Sequence, residues 1–364
     1  MRSSITPARK KKAVAYWLLF GVFMLVIQIL LGGITRLTGS GLSITEWKPI
    51  LGAIPPLNEQ EWQIAFQKYQ QIAQYKYLNA HFTLQDFKHI FFWEWFHREW
   101  ARFGLALVFA VGFIYFLIKK YFDEEMIVPF LILFLLGGLQ GAVGWIMVQS
   151  GLNDTDLYVS HIRLAIHFLA ALLLLCYTLW FALKLLIPDE ERIEGKKLNG
   201  LTFTLIGVLT LQLAYGAFMA GLKAASVAPT WPTINGAWVP DQIHQYGNQT
   251  YSGLNAFVSH PLAVHFIHRG LAYLLIILVI FWFVQVGKIA KGEMANRLRS
   301  WRWWPVWLVS LQATLGIFTV INGAETIAGK FRTFEMLALA HQLVATALLC
   351  ALVANLFLTT RRAK

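Results

Sequence analysis

Four histidines stand inside apolar stretches of the chain, where a side chain of that type needs a reason. They are His97 in Glu94-Trp95-Phe96-His97-Arg98, His167 in Arg163-Leu164-Ala165-Ile166-His167, His268 in His265-Phe266-Ile267-His268-Arg269, and His341. A charge at membrane depth costs about 2.5–3.5 kcal/mol on insertion scales, so such residues face the protein interior and usually serve function. Spacing pairs them: 70 residues separate His97 from His167, and 73 separate His268 from His341. Two imidazoles projecting from two helices into a bundle suit a planar metal macrocycle whose iron is held axially from both faces. Two pairs then predict two haem sites. A mononuclear zinc ion fits less well, since it wants three or four ligands in one place. The plainer alternative, that each histidine only hydrogen-bonds a neighbouring helix, suits one isolated residue better than four at matched positions.

The two pairs differ in their neighbours. Glu94 precedes His97 by one turn on the same helix face, whereas the matching position before His268 is His265. An acid beside only one pair predicts chemistry at the first site and a redox or structural role at the second. Glu94 has an alternative use as the partner of Arg98, four residues on, or of Arg163. Arg98, Arg163 and Arg269 are expected near haem propionates, with anchoring at the headgroup level as the simpler role. His161 and His265 lie near enough to the sites to act as donors behind the ligands. His81, His89, His244 and His260 fall in loops or at helix starts and receive no role.

These residues need helices to carry them. Of the 364 residues 57% are hydrophobic and 14% charged, against roughly 45–50% and about 25% in soluble domains, which excludes soluble and disordered classes. Eight stretches are long enough to cross about 30 Å of hydrocarbon, near 14–34, 97–118, 127–148, 160–187, 200–222, 262–286, 303–321 and 335–358. The first is longer than a signal-peptide core and lacks a small-x-small cleavage pattern, so it is expected to remain as a span. The predicted fold is an all-α integral membrane protein. The net charge of +12 is read as topology rather than nucleic-acid binding: 19 of 31 basic residues, including Arg9 to Lys12 and Arg361, Arg362 and Lys364, cluster on one side. Both termini are therefore expected in the cytoplasm, with a bacterial inner membrane as the expected location. The four histidines would all lie in the outer half of the membrane, within the first two or three turns of their helices. Cys176 and Cys350 sit in apolar runs, so no extramembrane disulfide or cysteine metal site is expected.

The chain also repeats itself. Gln28, Gly32 and Trp47 recur as Gln212, Gly216 and Trp231, each shifted by 184; Gln140, Gly144 and Gly151 recur as Gln312, Gly316 and Gly323, each shifted by 172. The predicted organisation is two tandem pseudo-symmetric four-helix bundles, 1–187 and 200–364, joined by a charged cytoplasmic linker at 188–199. Gly137, Gly141, Gly144, Ala217 and Gly221 are expected to permit close helix packing.

The run Gly32-Gly33-Ile34-Thr35-Arg36-Leu37-Thr38-Gly39-Ser40-Gly41-Leu42-Ser43, with Glu94 to Arg98, Arg163 to His167, His268-Arg269 and His341-Gln342, resembles heme A synthase, most closely the proteobacterial and mitochondrial form. The resemblance covers essentially the whole chain. It implies an oxidoreductase that converts the C8 methyl group of heme O to a formyl group, giving heme A for cytochrome c oxidase. It further implies a heme b cofactor held by His268 and His341, heme O, whose long farnesyl-type tail favours a lipid-embedded site, received near His97 and His167, and a functionally important Glu94. On this reading two successive hydroxylations give a geminal diol that loses water to the aldehyde. Heme O synthase is a candidate partner, membrane lipid the surroundings, a homo-oligomer is left open and nucleic acid has no part. Some relatives carry a cysteine pair in an outer loop that this chain lacks, and the segment Val227 to Gly236 keeps the expected Trp-Pro to Gly pattern only loosely. The main rival is a diheme b-type membrane electron-transfer cytochrome, which predicts equal sites; a transporter built on the repeat predicts interrupted helices at the midplane.

Overall fold

The computed structural model describes residues 6–46, 51–240, 245–290, 295–325 and 331–360. Trp47, His244, Arg361, Arg362 and Lys364 lie outside the described residues. Among the described residues eight helices are long and apolar enough to cross a membrane: α1 Pro7–Leu37, α2 Leu84–Ile118, α3 Glu124–Gln149, α4 His161–Leu186, α5 Lys196–Gly221, α6 Pro261–Ile289, α7 Asn296–Ile321 and α8 Thr333–Leu358. The chain is therefore an all-α, multi-pass membrane protein.

Capping fixes where the histidine-bearing helices begin. Thr83 and Asp86 form a reciprocal capping box at α2, and the Ser160 hydroxyl accepts from the Arg163 N–H at α4. Pro261 occupies the first turn of α6, and Glu335 reaches back to the Arg332 N–H at 2.8 Å to hold the start of α8. His167, His268 and His341 accordingly lie six, seven and eight residues into their helices. His97 departs from expectation. Its helix starts at Leu84, so the histidine sits thirteen residues in, about 20 Å along the axis. Hydropathy missed this extension because its first turns carry Gln85, Asp86, Lys88 and His89.

α2 is also irregular. Trp100–Leu107 is wound as π-helix, whereas α6 is α-helical throughout. Such widened turns break the i to i+4 ladder and recur at functional sites. Here the stretch begins three residues after His97 and is pinned to α1 by the Trp100 indole, which donates to the Met24 carbonyl at 3.1 Å.

In the first half α1 packs on α4 and α2, and α3 packs on α4; in the second α5 packs on α8 and α6, and α7 on α8 and α6. α4 against α5, α4 against α8 and α1 against α8 join the halves. One apolar core crosses that junction, with Leu25 and Ile29 of α1, Leu172 and Leu175 of α4, and Leu352 of α8. Lipid is as apolar as leucine, so these contacts hold through close packing rather than water exclusion. The loop between α1 and α2 is different: its short helix Glu59–Tyr69 buries Phe66 and Tyr69 with Leu42, Phe87 and Ile90 in a core of its own. Tyr69 at the centre donates to Gln74 Oε1 (3.0 Å) and accepts from Asn79 Nδ2 (2.8 Å). Burial pushes its phenol up to about 12.

Candidate functional site

Each of the four histidines is held by the helix that precedes it. Gln28 Nε2 lies 3.3 Å from His97 Nδ1 and donates to the His97 carbonyl at 3.2 Å. Gln140 does the same to His167, at 3.3 Å from Nδ1 and 3.0 Å to the carbonyl. Gln212 Nε2 lies 3.3 Å from His268 Nε2, and Gln312 Nε2 lies 3.1 Å from His341 Nε2. One turn after each glutamine comes a glycine against the same ring. A Cβ on Gly32, Gly144, Gly216 or Gly316 would stand 3.0, 2.9, 3.4 or 2.9 Å from Cε1 of its histidine. Gln-x-x-x-Gly on an odd helix and His on the next even one thus make one unit, present four times. In all four the glutamine Oε1 is buried without a hydrogen-bond partner.

The His268 and His341 rings have centroids 6.3 Å apart, at 68°. A metal–imidazole bond of about 2.0–2.1 Å, with the ring centre about 1.1 Å beyond the nitrogen, places two axial rings about 6.2–6.4 Å apart. The pair therefore fits a single iron held from both sides. No group of three or more His, Cys, Asp or Glu able to hold a metal ion occurs among the described residues. All four histidines line one continuous cavity of about 1250 Å³ that runs through both halves.

Glu94 is buried at the wall of this cavity, and both its oxygens are engaged. Oε2 accepts from the Ser43 hydroxyl (2.7 Å) and the Ile44 N–H (2.9 Å); Oε1 accepts from Arg98 Nη2 (2.5 Å). The carboxylate thus ties the turn after α1 to α2, and the alternative pairing with Arg98 is realised alongside its place at the cavity. At the second site His265, fully buried, accepts from Arg269 Nε at 3.0 Å, and the Arg269 guanidinium donates to the carbonyls of Thr230 (2.5 Å), Pro232 (3.2 Å) and Thr233 (3.1 Å). Both sites therefore use the same clamp, from a helix position through an arginine one turn on to the loop after the preceding odd helix. The charge differs: Glu94 offsets Arg98, while His265 leaves Arg269 to carbonyl dipoles.

Not every expected residue is at the cavity. Arg163 is exposed, donates to the Ile146 carbonyl at 2.9 Å and does not line the cavity, unlike Arg98 and Arg269. His161 meets Ser259 at 3.2 Å and the Phe218 ring, at the junction of the halves rather than behind a ligand. Two cavity residues were not singled out from sequence. Arg36 donates to the Ala220 carbonyl at 2.7 Å across the junction, and Glu335, buried, lies six residues before His341, where the first half has His161. The two halves thus exchange acid and histidine between their even helices: Glu94 with His161, and His265 with Glu335.

A family model described as COX15-CtaA, cytochrome oxidase assembly protein, matches residues 15–353. Among curated proteins, the heme A synthase of Flavobacterium johnsoniae is 35% identical over 348 residues, covering 94% of this chain and 97% of that protein. The heme A synthase of Maricaulis maris is 39% identical over 355 residues, covering 97% of this chain and 98% of its own. That of Bartonella henselae is 38% identical over 359 residues, covering 97% and 94%.

Proposed function

The chain belongs to the COX15-CtaA family of cytochrome oxidase assembly proteins, and from that premise we propose that it carries out the synthesis of heme A from heme O. The observation that carries the reading is the unequal pair of sites: matching Gln–Gly–His units, with a buried acid beside His97 and a histidine in its place beside His268. An electron-transfer cytochrome has no use for that inequality.

Turning a methyl group into a formyl group adds one oxygen atom and removes four electrons and four protons when water supplies the oxygen. The enzyme is accordingly an oxidoreductase acting on a CH group. In our reading heme O is the substrate at His97 and His167, and heme b is the cofactor at His268 and His341. When bound, heme b would supply one-electron redox chemistry, passing the four electrons one at a time to an external oxidant. The chain's own groups orient and move protons. Glu94 Oε2 takes a proton released at the substrate, and the Ser43 hydroxyl, 2.7 Å away, passes it toward the loop end of the bundle. Arg98 keeps the carboxylate turned toward that path through Oε1, and Arg98 and Arg269, which line the cavity, would pair with haem propionates. The two halves, 1–187 and 200–364, act as substrate and cofactor domains. The bias of basic residues toward one side supports both termini in the cytoplasm, with the long loops outside a bacterial inner membrane.

The test is co-expression with heme O synthase followed by mass analysis of the extracted haems. Heme A in addition to heme b is expected from the wild type, and Glu94→Ala should keep heme b while producing no heme A. Recovery of heme b alone from the wild type, or normal heme A from the variant, refutes the assignment.

A further inference from the structure

The cavity is not equally deep in the two bundles. Measured down each helix from the level of its glutamine, glycine or histidine, the first bundle's lining reaches Trp17 on α1, Leu133 on α3 and Thr178 on α4, eleven residues below Gln28, Gly144 and His167. In the second it stops at Leu209 on α5, Ile276 on α6, Val309 on α7 and Leu348 on α8, at most eight residues below Gln212, His268, Gly316 and His341, whereas on α2 of the first bundle it reaches Phe109, twelve below His97. At 1.5 Å per residue these depths are about 16–18 Å and at most about 12 Å.

Substitutions at repeat-related positions account for the difference. Leu205, fully buried, stands where α1 has Gly21; Leu352, fully buried, stands where α4 has Thr178; and Val309 stands where α3 has Gly137. In the first bundle a Cβ on Gly137 or Gly141 would meet nothing within 4 Å, and one on Gly21 only the Thr178 methyl at 4.0 Å. The Thr178 hydroxyl is already spent on the Leu174 carbonyl at 2.7 Å, so the extra space is apolar. Its floor is the Trp17 ring, stacked on Phe109 at 4.9 Å. The side differs too. α6 and α7 pack on each other, whereas the aromatic contacts between α2 and α3 are those of Phe109 and Phe113 with Phe130 and Phe134, near that floor.

We propose that this additional turn of cavity in the first bundle seats the long farnesyl-type tail of heme O, and that its closure in the second bundle reserves that site for a haem without a tail. The proposal rests on the heme A synthase reading and adds the device that sorts substrate from cofactor between two sites with like ligands. A slot lined by glycine faces and leucines gains nothing from the polar parts of a haem, but it receives a prenyl chain whose alternative is lipid, in an orientation that lipid cannot fix. The gap between α2 and α3 gives that chain a lateral way in from the bilayer.

Filling the slot with the sister bundle's own side chains tests this. Gly21→Leu and, separately, Thr178→Leu are compared with wild type by spectral titration with heme O and with protohaem, which has no tail, after the second site has been filled with heme b. The expected result is heme b retained, protohaem binding at the first site within twofold of wild type, and heme O binding and heme A formation reduced at least tenfold. Heme O affinity within twofold of wild type, or equal loss of protohaem and heme O, overturns the proposal. Should Gly21→Leu lose heme b through misfolding, Thr178→Leu decides alone. A wild type that makes no heme A refutes the functional reading instead, while its preference for heme O over protohaem at the first site still judges the slot.

Discussion

Gln212 and Gln312 show what a ligand needs from its neighbour. An imidazole that binds metal through one nitrogen offers the other as a donor, and removing its acceptor typically costs 10–100-fold in metal affinity. Each glutamine turns Nε2 to its ring and keeps Oε1 buried and unpartnered, so rotating the amide by half a turn would present that oxygen to the ring as the acceptor. Gln212→Leu is therefore expected to weaken heme b retention by at least tenfold and to shift its midpoint potential, read by haem content and a redox titration; Gln212→Glu, which keeps an acceptor, should retain more haem. Gly316 acts by being small. A leucine there would place Cβ 2.9 Å from His341 Cε1, so Gly316→Leu should abolish heme b binding while leaving helicity by circular dichroism unchanged. Both residues were visible in the sequence, Gln212 as the repeat of Gln28 and Gly316 as that of Gly144. Their task was not, because it depends on which helix neighbours which. Glu94 was legible through its contrast with His265, and its Oε1 through Arg98 one turn on, but the engagement of Oε2 needed Ser43 and Ile44, some fifty residues away, to be folded onto it.

Hydropathy located all eight spans, yet it ended where polar side chains began, and so it placed the start of α2 thirteen residues late. The capping box at Thr83 is what sets that start. Thr83→Ala should cost about 0.5–2 kcal/mol of stability, concentrated in the loop end of α2 and detectable as faster amide exchange there. The π-wound stretch Trp100–Leu107 has no comparable sequence mark: it contains no proline, and its one glycine, Gly104, would not by itself predict a widened turn. Where α1 crosses α8 the mark is clearer. A Cβ on Gly33 would stand 2.7 Å from Leu339 Cδ1 and 3.2 Å from the Gln342 amide, which itself donates to the Ile29 carbonyl at 3.1 Å. Gly33→Leu is expected to force the halves apart at this crossing and to lower the thermal midpoint in detergent while each helix persists.

At the scale of the molecule, the loop core around Tyr69 closes the first half of the cavity from the loop end, with Gln74 and Asn79 at its wall. A phenol raised from 10.0 to about 12 contributes stability that is whole below pH 10 and is lost as pH rises through about 12. Alkaline titration should thus loosen this cap between about pH 10 and 12, seen as proteolytic cleavage within 59–83, and Tyr69→Phe should remove that transition. The repeat announced two alike bundles; nothing in the spacing of ligands announced that one cavity runs through both, since that follows from leucine packing at the junction of α1, α4, α5 and α8. The fourfold Gln-x-x-x-Gly and His unit reaches further still. Each copy occupies a single helical hairpin and, on the proposed reading, would contribute one axial ligand, so a complete site would be two hairpins brought face to face. Half of a site is therefore a portable module: two short peptides of this pattern, associating in a bilayer, contain the ingredients for holding one iron, and the whole chain is that recipe written out four times.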